Sequence, residues 1–134
     1  MSGNFPELLA LARQAAAHAY APYSGFKVGA AALTTSGRIV TGCNVENAAY
    51  GVALCAECGL VSQAVREDAG KLVAFVCVGT KAETQNAPVI MPCGRCRQLL
   101  AEHADPSLRV LGVSGEICLG ELLPDSFGPA NLSV

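Results

Sequence analysis

Charge is scarce in this chain: only 15% of its 134 residues are Asp, Glu, Lys or Arg, against about a quarter in an average soluble domain. With a net charge of −2 there is no basic track, which argues against nucleic-acid backbone as a partner. No apolar run reaches the length of a membrane span, so no membrane partner is expected. The start lacks a basic, apolar, small-residue leader, and a cytoplasmic location is the expectation. Repeats, low-complexity tracts and linkers are missing too, so residues 1–134 are read as one domain with one core. Histidine is nearly absent, and neither His18 nor His103 stands near a metal-ligand position. Apolar residues, by contrast, make up 51% of the chain. Such a surplus in a small soluble chain predicts a surface buried against copies of itself.

Cysteine is what this chain has in quantity. Seven are present, at positions 43, 55, 58, 77, 93, 96 and 118. An odd number without a leader points to metal binding or catalysis in a reducing compartment, not to a disulfide framework. Cys43, Cys77 and Cys118 stand apart among mostly small or apolar neighbours and read as small buried hydrophobes. The other four form two clusters, Cys55-Ala56-Glu57-Cys58 and Pro92-Cys93-Gly94-Arg95-Cys96. This pattern, a ligand-x-Glu followed by Pro-Cys-x-x-Cys, resembles that of zinc nucleobase deaminases. The resemblance implies thiolates of Cys55, Cys93 and Cys96 on a zinc ion with one position open, where Glu57 can move protons without binding the metal. Two rivals compete with this open site. All four cysteines also satisfy the plan of a closed structural zinc ribbon, and Cys55-x-x-Cys58 alone satisfies that of a redox pair. Against the ribbon, 34 residues separate the two pairs, where about 15–20 are usual. The chain has little need of a metal staple, and both clusters stand at predicted helix starts instead of β-turns.

The chain pattern places those starts. Pro6 opens a helix over Glu7 to Tyr20, broken by Pro22-Tyr23-Ser24-Gly25. Phe26 to Thr34 and Arg38 to Asn44 read as a hairpin about Ser36-Gly37, and Asn47 to Gly51 as loop. Ala53 to Ala69 reads as a buried helix, Leu72 to Gly79 as a central strand and Lys81 to Val89 as loop. A helix over Gly94 to Ala104, a strand over Leu108 to Val113 and a last helical turn over Leu119 to Leu123 precede a tail that begins at Pro124. Helices alternating with apolar strands predict an α/β fold, a three-layer α/β/α sandwich about a mixed sheet. Both cysteine clusters then sit at helix N-termini, where free N–H groups and the helix dipole favour thiolate.

Beyond the two clusters, five motifs in order resemble a known family. Pro22-Tyr23-Ser24 with Phe26, Val28, Gly29 and Ala30 comes first, followed by Gly42-Cys43-Asn44-Val45-Glu46-Asn47-Ala48. Cys55-Ala56-Glu57 and Pro92-Cys93-Gly94-Arg95-Cys96-Arg97-Gln98 come next, and Leu122-Leu123-Pro124 with Phe127 closes the series. Along nearly its whole length the chain resembles the small homotetrameric cytidine deaminases. That resemblance implies a five-stranded sheet, one Zn2+ per subunit, and hydrolysis of cytidine and 2'-deoxycytidine in pyrimidine salvage. It implies Cys55, Cys93 and Cys96 as ligands and Glu57 as the proton carrier. Asn44 and Glu46 would hold the ribose, Phe26 would pack on the base, and Phe127 would stack on it from a neighbouring subunit. The Ala56 N–H and Pro92 carbonyl would read the pyrimidine O2 and 4-amino group, with Tyr50 near the site and the subunit contacts. Two alternatives stay open: a deaminase of another cytosine nucleoside such as blasticidin, and a non-catalytic zinc-stapled module. One departure stands out. Many three-cysteine members carry arginine directly after the glutamate, offsetting thiolate charge; here Cys58 stands there, expected to be buried and off the metal. Arg95 and Arg97 are the candidate substitutes.

Overall fold

Apolar residues without interruption form the centre of the sheet, as strands buried on both faces require. The structure, a computed structural model, describes residues 4–133. Its elements are α1 (Phe5–Ala16), β1 (Lys27–Thr34), β2 (Ile39–Cys43), α2 (Ala56–Arg66), β3 (Leu72–Thr80), β4 (Val89–Ile90), α3 (Gly94–His103), β5 (Ala104–Gly112), β6 (Gly115–Cys118) and α4 (Leu119–Leu122). The sheet runs β2-β1-β3-β5-β6, with β4 also paired to β3. All pairs are antiparallel except β3 with β5, whose crossover contains α3.

The alternation of side chains along β1 and β3 divides the core in two. Ala31, Leu33, Ala74, Val76 and Val78 point to one face, where α1 covers them with Phe5, Leu8, Ala12 and Ala16. Ala30, Ala32, Phe75 and Cys77 point to the other, under Leu60 of α2, Leu100 of α3 and Leu119 of α4. This is the expected three-layer sandwich.

Among the described residues the sheet has six strands where five were expected. The first half of β3 pairs with β5 (Ala74 opposite Arg109, Phe75 opposite Val110). Its second half is left to β4 (Cys77 opposite Ile90, Val78 opposite Val89). Two residues are too few to register as a strand pattern, yet they deliver the chain directly to Pro92 and Cys93. The four residues of β6 return from β5 across a two-residue turn, Gly112 opposite Gly115. β5 itself starts four residues earlier than predicted, with an irregular register between Leu72 and Ala74. Pro106 lies in that stretch and has no N–H for the ladder.

Helix α1 stops at Ala16, short of Tyr20. The Tyr20 backbone is taken up by a bridge to Val45: its N–H donates to the Asn44 carbonyl (3.0 Å) and its carbonyl accepts from the Glu46 N–H (2.8 Å). Helix α2 likewise begins later than Ala53, because Leu54 exchanges both backbone bonds with Val45 (2.9 Å each). These bridges pull residues 45–54 alongside the start of α2.

Candidate active site

Cys55 and Cys93 are the N-cap residues of α2 and α3, both with extended backbone. Cys96 is in the first turn of α3 and buried. The three sulfurs lie within 4.8 Å of one another. A tetrahedral zinc with sulfurs at about 2.3 Å needs edges of roughly 3.8 Å, so the donor set matches this borderline-soft ion in number, type and spacing. Cys58 is not part of the cluster. It is half-buried, not buried as expected, because it lies against the Arg95 guanidinium. Arg95 Nη1 donates to Cys58 Sγ (3.3 Å) and to Cys55 Sγ (3.7 Å). Positive charge thus reaches the sulfurs from the other helix, in place of an arginine after Glu57.

The titration of these groups follows their surroundings. Burial pushes the Cys55 thiol up, partly opposed by Cys96 and Arg95. Burial also raises Cys96, and the Glu57 charge adds to it. At Cys93 burial acts in the same direction but is outweighed by the Cys96 and Arg95 N–H groups and the neighbouring thiols, and the group is held below its ordinary value.

Glu57, in the first turn of α2, is only 3% exposed. Burial raises its pKa, against the opposing pull of its own N–H, Cys96 and Arg95. A carboxyl group moved toward neutrality by desolvation is suited to take up and return a proton near neutral pH.

A cavity of about 330 Å3 opens over these groups. It brings together Phe26, Asn44, Glu46, Cys55, Ala56, Glu57, Pro92, Cys93 and Cys96, with Val28, Ala53, Leu54, Ile90 and Met91 completing its walls. A groove of equal volume lies between α3, β5 and α4, but it contains no thiol and its one acid is Asp105. Chemistry, not volume, distinguishes the two.

The polar wall is held from behind. Asn44 follows the end of β2; its Oδ1 accepts from the Val28 N–H (2.8 Å) and its Nδ2 donates to the Phe26 carbonyl (2.9 Å). Glu46 accepts from the N–H groups of Tyr23 (2.9 Å) and Ser24 (3.1 Å) and from the Ser24 hydroxyl. These bonds, the Ser24 hydroxyl foremost, hold its carboxyl below the usual range. Ala56 is the first residue of α2, and its N–H belongs to the helix-start groups without an intrahelical partner.

Two expected site residues lie outside the cavity. Tyr50 is exposed and borders an adjoining pocket with Tyr23, Ser24 and Glu46. Phe127 is also exposed, its carbonyl accepting from Gln98 Nε2 (2.9 Å). Of the three scattered cysteines, only Cys77 is buried; its thiol donates to the Ile90 carbonyl (3.2 Å). Cys43 and Cys118 are half-buried, at the end of β2 and of the edge strand β6, and Cys118 Sγ accepts from Arg109 Nη1 (2.8 Å). Gly79 was not anticipated in the site. A Cβ there would stand 2.6 Å from the Phe26 ring and 2.9 Å from Ile90, so its missing side chain makes room for two cavity walls. A glycine ending an apolar strand was the available signal.

Residues 5–111 match the family profile described as the cytidine and deoxycytidylate deaminase zinc-binding region. The cytidine deaminase of Mycobacterium tuberculosis is 52% identical over 117 residues, spanning 87% of this chain and 84% of the relative. That of Halalkalibacterium halodurans is 41% identical over 125 residues, spanning 90% and 91%. The crystal structure of the cytidine deaminase from Mycobacterium tuberculosis superimposes with a TM-score of 0.85 at 50% identity, covering 93% of this chain and 98% of that one. With three sulfurs and a buried carboxyl group converging on one cavity, this chain belongs to the family of zinc-binding cytidine and deoxycytidylate deaminases.

Proposed function

We propose that the chain hydrolyses cytidine and 2'-deoxycytidine to uridine and 2'-deoxyuridine, releasing ammonia in a pyrimidine-salvage role. The observation that carries this reading is Glu57, buried beside Cys55, Cys93 and Cys96 in a cavity of nucleoside size. Those three cysteines would hold zinc, which when bound supplies the Lewis acidity that makes water a usable nucleophile near neutral pH.

Every other task falls to the chain's own groups. Water adds to C4 of the cytosine, and Glu57 carries its proton to N3, which makes C4 electrophilic and the addition favourable. The same carboxyl group then moves the remaining hydroxyl proton to the 4-amino nitrogen, and the C4–N bond breaks with loss of ammonia. One carboxyl can serve both transfers because it is desolvated beside the three cysteines, where the reacting ring edge would lie. The Ala56 N–H would donate to O2, and the Pro92 carbonyl would accept from the amino group. Phe26 would pack on the base. Asn44 keeps one amide hydrogen and Glu46 part of its acceptor capacity for ribose hydroxyls, and their bonds to backbone hold both ready. The free-sugar contacts favour cytidine and 2'-deoxycytidine over a modified nucleoside such as blasticidin, and a buried carboxyl with a raised pKa favours an enzyme over a zinc-stapled module.

A homotetramer is proposed on the exposed apolar strip of Tyr20, Val45, Tyr50, Val52 and Leu54, up to 83% exposed at Tyr50. It is continuous with the cavity rim through Leu54, and Phe127 would reach a neighbour's cavity from the tail. A cytoplasmic location fits seven free cysteines, which persist as thiols in a reducing compartment. One domain over 1–134 is proposed on the single sheet that carries both core clusters, with residues 1–3 and 134 outside the described ones.

The test is loss of cytidine absorbance with stoichiometric ammonia, in the presence and absence of a chelator. Chelator-sensitive turnover of cytidine but not of adenosine is expected. Metal-loaded protein inert toward both nucleosides would refute the assignment.

A further inference from the structure

The two arginines that flank Cys96 do different work. Arg95 faces the sulfurs, whereas Arg97 turns away from them and does not line the cavity. Its Nε donates to the Pro92 carbonyl (2.8 Å) and its Nη1 to the Leu122 carbonyl (3.0 Å). Its own N–H is held by the Cys93 carbonyl (2.9 Å). The next residue, Gln98, holds the Phe127 carbonyl from the same helix. Consecutive side chains of α3 thus grip one carbonyl on the cavity wall and two on the C-terminal segment.

Pro92 is almost fully buried and precedes the N-cap of α3, so no N–H of the helix ladder reaches its carbonyl. That oxygen has two lone pairs. Arg97 occupies one from behind the wall and leaves the other for the cavity. A planar guanidinium with two N–H groups on two different carbonyls fixes both directions at once, which a single ammonium cannot.

We infer that Arg97 is a positioning residue for deamination: it sets the Pro92 carbonyl at the angle from which it accepts the 4-amino group of cytosine, and it locks that carbonyl to the segment 122–127. The inference rests on the proposed function and deepens it. It also carries a signature that a general staple lacks. Uridine has oxygen at C4 and no hydrogen to give the Pro92 carbonyl, so its binding does not depend on the carbonyl's direction.

The experiment measures zinc content, cytidine kinetics and uridine inhibition for the unsubstituted chain, Arg97→Met and Arg97→Lys. Arg97→Met is expected to keep its zinc, raise the cytidine KM and lower kcat/KM by roughly tenfold to a hundredfold, the scale of a misplaced reacting contact. The uridine inhibition constant stays unchanged, and Arg97→Lys, a compact ammonium without the rigid guanidinium fork, recovers part of the loss. A zinc-loaded Arg97→Met with an unchanged cytidine KM overturns the inference, as does uridine inhibition that weakens in step with the KM. Should Arg97→Met not fold, Arg97→Lys is judged by the same two constants. An unsubstituted, zinc-loaded chain without cytidine turnover would instead remove the proposed function, and this inference with it.

Discussion

On one face of the sheet, α1 packs Phe5, Leu8, Ala12 and Ala16 against Ala31, Val76 and Val78, and among the described residues no cysteine is in that cluster. On the other, α2 and α3 pack Leu60 and Leu100 against Ala30 and Phe75 and also bury Glu57 and Cys96. Both faces bring a helix close through a strand glycine. A Cβ on Gly29 would stand 2.0 Å from the Ala12 carbonyl oxygen, and one on Gly42 would stand 2.1 Å from that of Ala56. The packing device is the same; what it presses into place differs. At Gly29 it seats the last turn of α1, and at Gly42 it seats the first turn of α2, which contains Glu57 and follows the N-cap Cys55. The α1 face contributes stability, and the α2/α3 face uses the same closeness to hold chemistry at two helix starts.

Removing a ligand should separate the faces most sharply. Cys93→Ala is expected to lose both zinc and turnover, whereas Cys58→Ser, outside the sulfur cluster, should keep one zinc per chain and most activity. Leu8→Ala on the opposite face should cost about 2–5 kcal/mol of stability with turnover per folded molecule unchanged. Zinc analysis with urea unfolding checks all three. Next, Gly42→Ala and Gly29→Ala should each destabilise by about 3 kcal/mol or more, since a Cβ pressed on backbone has no side chain to displace. Only Gly42→Ala should also lower turnover per folded molecule. Gly79→Ala, which must shift Phe26 and Ile90, should raise the cytidine KM while leaving zinc in place.

The smallest effect concerns pH. The folded pKa of Glu46 is depressed, chiefly by Ser24, from an ordinary value of 4.5. Its contribution to stability is therefore complete above about pH 4.5 and is lost as the pH falls through the lower folded value. The gap in urea midpoint between the unsubstituted chain and Glu46→Gln should be constant at higher pH and shrink below that point. A gap that widened in acid would contradict the bonding described at Tyr23 and Ser24.

Features written locally were legible in the sequence. The apolar run of β3, the hairpin of β1 and β2, and the start of α3 after Cys93 follow from periodicity and turn residues, whereas α2 was expected from Ala53 and starts at Ala56. The sulfur-and-carboxyl constellation was legible through its resemblance to the ligand-x-Glu and Pro-Cys-x-x-Cys pattern of zinc deaminases, and the three sulfurs do come together. What depends on tertiary approach was not legible. β4 and β6 are too short to show a period, and α1 ends early because Tyr20 is bonded to a segment more than twenty residues away. Asn44 was expected from the resemblance to hold the ribose, but nothing local shows that its amide ties the Phe26 and Val28 backbone together. Arg97 gains its role from neighbours that no local pattern names, and Gly79 was signalled only as a glycine ending an apolar strand.

The most direct test of the account is Glu57→Gln, assayed for zinc content and cytidine turnover on the same preparation. The substitution keeps shape and burial while removing the proton carrier. Zinc retained, with turnover reduced by roughly a hundredfold to ten thousandfold, is the predicted result. Turnover unchanged with zinc in place would contradict the role assigned to Glu57 and with it the reading of the site.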